Sequence, residues 1–160
     1  MRFEKVSYEK YREYNNFDCR EEYDNIKIPA RATKHSAGYD FYSPFEFILH
    51  PNETMIVATG IRIKLDDDKF LLITPRSSLG FQYRMQIDNT VAVIDSDYYN
   101  APNEGHIFIK VTNDSKDGKI LKIKQGEAFC QGIILKYLTI ENDETTQERV
   151  GGLGSTNKEG

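Results

Sequence analysis

The chain has 160 residues, of which 39% are hydrophobic and 29% are charged, and its formal net charge is −4. This length fits one domain with a sizeable core, and the composition is ordinary for a globular protein. The acidic balance and the lack of a long basic run argue against a nucleic-acid groove, which needs clustered Lys and Arg. A single nucleotide remains compatible with this charge.

The N-terminal stretch MRFEKVSYEKYREY is charged and lacks the apolar segment of a signal peptide. Within it, residues 7–14 predict a short helix with Ser7 as the N-cap. The composition of residues 1–25 differs from that of the following sequence, so we interpret them as an N-terminal extension of the main domain. No apolar run approaches the ~20 residues of a membrane span, so we expect no membrane contact.

The chain contains two cysteines, Cys19 and Cys130, which lie far apart in the sequence. A disulfide scaffold would need more cysteines, and a zinc site would need closer spacing. Cys130 follows an apolar pair and is interpreted as a small core residue. We therefore expect the reducing environment of the cytoplasm.

Residues 26–147 read mainly as short β-strands. Between residues 54 and 65 two strands are predicted around Gly60, because isoleucines alternate there with charged residues. Further strands are predicted at residues 69–75 and 106–113, and on both sides of a turn near Gly126. A second short helix is predicted after Arg76. This pattern indicates an all-β sandwich, jelly roll or barrel.

Two polar motifs lie in the first half of this region. In SAGYDFYS, Asp40 is either a bulge or turn residue, or an acid that reaches a pocket and holds a metal or its water. In TPRSSLG, a strand ends and is followed by Arg76, Ser77 and Ser78 at the start of a helix. These groups could bind phosphate, or Ser77 could simply cap the helix.

The stretch IDNTVAVIDSDYYNAPNEGHI carries a third motif. In an extended strand Val91, Val93 and Asp95 share one face, and we expect Asn89 on it too. An amide can read the edge of a base, a carboxylate can take a proton from water, and Tyr98 can stack on a sugar or base. The alternative is a strand and turn with solvated acids.

Two further motifs lie towards the C-terminus. Gln131 is a polar residue in the apolar strand GEAFCQGII and contacts either core groups or a ligand. Residues 148–160 read as a mobile Gly-rich arm, whose Arg149, Ser155 and Thr156 could bind phosphate oxygens. A disordered terminus is the alternative, and the Gly-Lys-Ser/Thr sequence of a P-loop is missing.

In this order the motifs AGYD, PRSSLG, VIDSDYY…EG, GEAFCQ and R-x-GGLGST resemble the five motifs of the trimeric deoxyuridine triphosphatase (dUTPase) family. The resemblance covers roughly residues 26–157. It implies an antiparallel β jelly roll that forms a homotrimer with active sites shared between subunits. It also implies Mg²⁺-dependent hydrolysis of dUTP to dUMP and pyrophosphate, which limits uracil in DNA and supplies dUMP for thymidylate synthesis.

Carried over position by position, the resemblance implies that Asp95 activates the attacking water. Asn89 and the backbone around Ala92 and Val93 would recognise uracil, and Tyr98 would pack on the deoxyribose and exclude a 2′-OH. Asp40 would contact Mg²⁺ through water. The phosphates would be bound by Arg76, Ser77, Ser78 and Gln131, and the γ-phosphate by Arg149. In the arm, the implied substrate contacts are those of Leu153, Gly154, Ser155 and Thr156.

The sequence also departs from the family pattern. Leu153 replaces the usual arm Phe, Ala92 replaces a Gly, the arm is one residue shorter between Arg149 and its glycines, and residues 99–105 form an expanded loop. The N-terminal extension lies outside the family core and could add a subunit contact or bind a further partner.

Two other functions remain as alternatives. A related dCTP deaminase would need an added general acid/base carboxylate and typically a Pro-Gly-Trp-like turn, but this chain has no Trp. A regulatory nucleotide-binding protein is the second alternative.

Overall fold

The computed structural model describes residues 1–15, 18–147, 149 and 151, which are mostly β-strands joined by short turns. The strands are β1 (Arg2–Lys5), β2 (Ala30–Arg31), β3 (Tyr39–Tyr42), β4 (Phe47–Leu49), β5 (Thr54–Ala58), β6 (Ile61–Lys64), β7 (Lys69–Pro75), β8 (Met85–Ile87), β9 (Ala92–Asp95), β10 (Phe108–Asn113), β11 (Leu121–Ile123) and β12 (Ala128–Lys136). The helices are α1 (Tyr8–Arg12), α2 (Arg20–Asp24) and α3 (Ser77–Tyr83), and a 3₁₀ helix covers Ser96–Asn100.

The largest sheet has five antiparallel strands in the order β2-β3-β12-β7-β9. A three-stranded sheet has the order β5-β10-β8, and β1–β6 and β11–β4 form two separate pairs. Buried side chains from both larger sheets form one core, with Phe41 and Leu71 from the first and Val57 and Ile109 from the second. This arrangement confirms the all-β prediction.

The predicted alternation of buried and exposed residues is present in the strands. In β6, Ile61 and Ile63 are buried, whereas the charged residues between and after them reach solvent. The predicted strand pair around Gly60 is confirmed, because the chain turns there with a φ of 70°. Cys130 is completely buried, as predicted, and its burial raises the pKa of the thiol well above the usual value.

The N-terminal extension contains the predicted helix, since Ser7 caps α1 by accepting a hydrogen bond from the backbone N–H of Lys10 at 3.2 Å. It also contains a strand that was not predicted, β1, which pairs with β6 in a register that places Phe3 opposite Ile63. Val6 and Tyr11 are buried in the common core. The extension therefore packs against the main domain.

Helix α3 confirms the second predicted helix but begins differently from the capping alternative. Arg76 is the N-cap, with φ −68° and ψ 138°, and Ser77 is the first helical residue. Capping by Ser77 was therefore wrong, and the side chains of Ser77 and Ser78 are exposed. No helix within the described ranges has the length and apolar character needed to cross a membrane.

Candidate active site

Several predicted site residues lie on the outer face of the five-stranded sheet. Gln131 of β12 lies directly opposite Asp40 of β3 on one side and Thr74 of β7 on the other. On the edge strand β9, Asp95 lies opposite Phe70 of β7. Because directly opposed residues share a face and side chains alternate along a strand, all five side chains lie on the same face.

These residues fall into two groups, which we name by their predicted chemistry. The cradle group comprises Asp40, Arg76, Ser77, Ser78 and Gln131. The base group comprises Asn89, Val93, Asp95, Tyr98 and Arg149.

The two groups are far apart within one chain. Asp40 and Asp95 lie on strands separated by two others. Across the sheet, Asp40 is level with Thr74 of β7 and Asp95 is level with Phe70, four residues away along the same strand. With a strand spacing of ~4.8 Å and a rise of ~3.3 Å per residue, Asp40 and Asp95 lie about 20 Å apart. A single phosphate group therefore does not contact both groups of the same chain.

In the cradle group, Asp40 and Arg76 form an ion pair with 3.4 Å between Oδ1 and Nε. The side chain of Asp40 is 16% exposed and that of Arg76 is 39% exposed, so both remain accessible to a ligand. Arg76 follows the end of β7 and precedes the two exposed hydroxyls of α3. This cluster presents a guanidinium and two hydroxyls, which are groups that bind phosphate oxygens.

Gly38 determines where the side chain of Gln131 can lie. A Cβ atom on Gly38 would be only 2.6 Å from Oε1 of Gln131, so the glutamine amide occupies the space that a larger residue would fill. No role was predicted for Gly38, although it belongs to the motif AGYD. Its position within that motif was the available signal.

In the base group, the predicted shared face of Val91, Val93 and Asp95 is confirmed, because all three side chains are exposed while the residues between them are buried. Asn89 is not on this strand. It lies in the preceding turn, where its carbonyl accepts from the N–H of Val91 at 2.7 Å and Thr90 has a φ of 68°. Because this turn ends before β9 begins, Asn89 does not share the strand face on which it was predicted.

Strand β9 is the edge strand of its sheet. Half of its backbone N–H and C=O groups point away from β7, since each residue of a strand alternates its hydrogen-bonding direction. Such groups can read the donor and acceptor pattern of a base without a side chain. Ala92, where the family usually has Gly, is buried, so its Cβ points into the domain and not towards this edge.

Arg149 connects the C-terminal region with the base group. Its Nη2 donates to Oδ2 of Asp95 at 2.6 Å, and its Nε donates to Oδ1 of Asp97 at 2.7 Å. Burial opposes the charged form, but the bonds to both carboxylates raise the pKa of Arg149 above its usual value. Asp97 thus forms an ion pair with Arg149 beside Asp95.

The ring of Tyr98 lies beneath Arg149, with 5.6 Å between the guanidinium carbon and the ring centre. Tyr98 is 5% exposed, and its hydroxyl donates to the carbonyl of His106 at 2.8 Å and accepts from Nδ2 of Asn103 at 2.7 Å. Burial raises the pKa of this phenol. These bonds fix the ring, and its contact with a sugar stays a prediction.

The predicted arm residues Leu153, Gly154, Ser155 and Thr156 lie outside the described residues. Among the predicted arm residues of the site, Arg149 belongs to the part of the chain that the structure describes. The cradle group presents groups that bind a polyphosphate, and the base group presents a carboxylate that can activate water.

Comparison with known proteins identifies the family. A dUTPase family model matches residues 24–157. A deoxyuridine 5'-triphosphate nucleotidohydrolase of Lactococcus lactis subsp. lactis is 37% identical over 134 residues, which cover 82% of this chain and 88% of the relative. The corresponding protein of Dictyoglomus turgidum is 35% identical over 141 residues, covering 82% of this chain and 91% of the relative. The chain therefore belongs to the dUTPase family.

Solved structures agree with this assignment. The crystal structure of dUTPase from Streptococcus mutans is 30% identical, with a TM-score of 0.69, and the match covers 88% of this chain and 99% of that chain. This likeness confirms the predicted jelly-roll fold. A mutant dUTPase from phage phi11 of S. aureus shares the fold at 20% identity with a TM-score of 0.62, over 78% of this chain and 92% of that chain. That structure describes the coordination of a structural Mg(II) ion.

Proposed function

We propose that this protein hydrolyses dUTP to dUMP and pyrophosphate through attack of water at the α-phosphate. The observation that carries this proposal is the membership of the dUTPase family, whose similar members include the named deoxyuridine 5'-triphosphate nucleotidohydrolases. The reaction removes a precursor of uracil in DNA and supplies dUMP for thymidylate synthesis.

Asp95 is the proposed general base. Its side chain is 52% exposed at the end of β9, where it can reach a water molecule above the sheet face. The carboxylate takes the proton while the water oxygen bonds to the α-phosphorus. The bond from that phosphorus to the bridging oxygen breaks, and pyrophosphate leaves with the electron pair. A positioned base contributes typically ~10²–10⁴-fold to such a step.

The hairpin between β8 and β9 is the proposed uracil site. Asn89 lies in its turn, and Val93 lies on β9, whose free edge presents outward backbone groups. Donors and acceptors fixed in this way can accept uracil and reject cytosine. Uracil presents an exocyclic oxygen, which accepts a hydrogen bond, at the position where cytosine presents an amine, which donates one. Tyr98 would contact the deoxyribose and leave no room for a 2′-OH.

The cradle group is proposed to hold the phosphates, and Asp40 to contact Mg²⁺ through water. A single partly exposed carboxylate fits a metal carried by the triphosphate, because Mg²⁺ keeps waters and binds few protein oxygens beside phosphates. When bound, the ion would neutralise phosphate oxygens and align the chain. Ser77, Ser78 and Gln131 would orient the remaining oxygens.

The C-terminal arm is proposed to close over the bound nucleotide. Arg149 would move from the two carboxylates to the γ-phosphate, and Leu153, Gly154, Ser155 and Thr156 would cover the substrate. Closure excludes bulk water and orders the triphosphate for attack.

We further propose a homotrimer in which each active site combines groups from different subunits. The separation of about 20 Å between Asp40 and Asp95 supports this, because one chain does not bring both to the same phosphate. The outer face of β12, β7 and β9 also carries five apolar side chains, namely Phe70, Leu72, Val93, Ile133 and Leu135. An apolar outward face of this kind indicates a contact surface, and a second copy of the chain fits it.

The activity is tested by incubating the protein with Mg²⁺ and, separately, dUTP, dCTP, dTTP and UTP, while pyrophosphate and ammonia are measured. Pyrophosphate from dUTP alone is expected. Ammonia from dCTP would identify a deaminase instead, and nucleotide binding without turnover would identify a regulatory binding protein.

The shared site is tested by mixing inactive subunits. Asp95→Asn and Arg76→Ala chains are each expected to be nearly inactive, but random reassembly would give some sites an intact base group and an intact cradle group. About one quarter of the wild-type activity should return if two subunits supply the two groups independently. No recovery despite confirmed subunit exchange would place both groups in one chain.

A further inference from the structure

The loop that follows the proposed base is unusually long and closes on itself. It comprises residues 96–105, which we call the Tyr98 loop, and it begins with the 3₁₀ helix directly after Asp95. Inside the loop, Asn103 donates to the hydroxyl of Tyr98 at 2.7 Å. At its end, the backbone of Gly105 packs so tightly that a Cβ there would lie 2.7 Å from the carbonyl oxygen of Tyr98.

The N-terminal segment, residues 1–12, contacts this loop at its far end. The backbone N–H of Ser7 donates to Oε2 of Glu104 at 2.8 Å, and the Ser7 hydroxyl donates to Oε1 at 2.7 Å. One carboxylate thus accepts two hydrogen bonds from one residue, although 97 positions separate the two residues in the sequence. These bonds fix Glu104 to the start of α1.

A second contact holds the 3₁₀ helix. The hydroxyl of Tyr99 donates to Oε2 of Glu4 at 2.7 Å, and this bond is the main reason that the pKa of the Glu4 carboxyl is lowered. Arg62 of β6 pairs with Glu4 at 3.0 Å and lies 4.5 Å from the centre of the Tyr99 ring. Tyr99 is therefore held by side chains of the strand pair β1–β6.

The N-terminal segment is itself firmly attached. Strand β1 pairs with β6 along four residues, and the N–H of Val6 donates to the carbonyl of Gly60 at 3.0 Å. Val6 and Tyr11 are buried, at 1% and 0% exposure. The dUTPase family model begins at residue 24, so this support lies outside the part of the chain that the family model matches.

We propose that the N-terminal segment positions the Tyr98 loop for catalysis, with Glu4 and Ser7 acting as positioning residues through Tyr99 and Glu104. This inference rests on the proposed function, since it assumes that Asp95 and Tyr98 serve dUTP. The first anchor holds Tyr99, the neighbour of Tyr98, and the second holds Glu104. Asn103 and Gly105, on either side of Glu104, both lie against Tyr98, so the two anchors together keep its ring in place. Loss of an anchor lets the ring shift, and the sugar contact and its discrimination against UTP then weaken.

The test uses Tyr99→Phe and Ser7→Ala, because deleting the whole segment would expose buried core residues. Each variant is expected to lose ~10-fold in kcat/KM for dUTP, since small displacements of positioning groups cost this much or more. The ratio of kcat/KM for dUTP to that for UTP should also fall. Tyr137→Phe is the matched control, because it removes a 2.7 Å hydrogen bond from another tyrosine hydroxyl, to the carbonyl of Asp67.

A merely structural clamp would give a different result. It would lower the melting temperature of the Ser7→Ala and Tyr99→Phe variants while kcat/KM and the dUTP:UTP ratio of folded enzyme stayed at wild-type values, and this outcome would overturn the proposal. In a double-mutant cycle, Ser7→Ala combined with Glu104→Ala should cost no more activity than the larger single effect. Fully additive losses would contradict the assigned contact.

Hydrogen exchange separates this inference from the proposed function. Amides of residues 96–105 should exchange faster in the Ser7→Ala and Tyr99→Phe variants than in Tyr137→Phe, with or without nucleotide. Lack of dUTP hydrolysis by the wild-type chain would refute the proposed function alone. Unchanged exchange in the loop, with an active wild type, would refute the positioning role alone.

Discussion

Arg149 donates a hydrogen bond from Nη2 to Oδ2 of Asp95 at 2.6 Å, so the guanidinium proposed to bind the γ-phosphate lies on the proposed base. A triphosphate carries more negative charge than the two carboxylates that hold Arg149. Binding of the substrate can therefore draw the guanidinium away and leave the carboxylate free to accept a proton from water. The same residue would thus respond to the substrate and release the base.

Arg149→Ala is expected to lower kcat/KM for dUTP by ~10²–10³-fold, the usual effect of removing a charged group that stabilises a transition state. Steady-state kinetics with saturating Mg²⁺ measures this loss. Arg20→Ala is the matched control, since Arg20 also pairs with an aspartate, at 3.1 Å, but lies on α2 outside the site. Equal values of kcat/KM for the two variants would show that Arg149 has no role in the mechanism. Truncation before Arg149 should cripple turnover in the same way.

Asp95→Asn should lower kcat by ~10²–10⁴-fold while dUTP binding persists, because the amide keeps the shape but does not accept a proton from water. Single-turnover rates and calorimetric binding measure the two quantities separately. Asp97→Asn is the control, because Asp97 is equally exposed and also bonds Arg149 but lies in the 3₁₀ helix. Wild-type turnover by Asp95→Asn would show that another group is the base.

The sequence predicted the strands that alternate locally, such as the pair on either side of Gly60, and the helix capped by Ser7. It did not predict β1, because four residues carry no clear pattern and the strand forms only by pairing with β6. Motif order placed Asp95 in the candidate site. The distance between Asp95 and Asp40 depends on strand register, and register is a property of the folded sheet.

The features that the sequence did not predict depend on contacts between residues that are distant in the chain. Tyr99 and Glu104 belong to a loop whose length was visible in the sequence, but their partners, Glu4 and Ser7, lie in the N-terminal segment. No local periodicity links such positions. The close approach of Gly38 to Gln131 likewise arises only because β3 and β12 are neighbours in the sheet.

Gly105→Ala should disturb the Tyr98 loop more than Gly118→Ala disturbs its own turn. Both glycines have positive φ, 69° and 71°, so both variants incur backbone strain of about 1–3 kcal/mol. A Cβ at Gly105 would lie 2.7 Å from the backbone of Tyr98, whereas one at Gly118 meets nothing within 4 Å. Urea unfolding should show the larger loss for Gly105→Ala.

Kinetics on the same pair of glycine variants tests the connection with catalysis. Only Gly105→Ala should lower kcat/KM for dUTP, by ~10-fold or more, because only it moves the residue proposed to contact the sugar. If both variants lose stability and activity in parallel, backbone strain alone explains the effect, and the packing of Gly105 on Tyr98 has no separate importance.

His106 should make the folded state less stable in mild acid. Its side chain is fully buried, Nε2 accepts from the N–H of Gly60 at 2.8 Å, and burial lowers the pKa of His106 to about 4 from an ordinary 6.5. Between these values the unfolded chain binds the proton and the folded chain does not, so stability falls as the pH falls. Linkage gives a loss of about 2 kcal/mol in the free energy of unfolding between about pH 7 and pH 5.

Urea unfolding at fixed protein concentration measures this loss. His50→Gln, at an exposed site, should keep this dependence, and His106→Gln should flatten it. Equal slopes in all three proteins would assign the acid sensitivity to other groups.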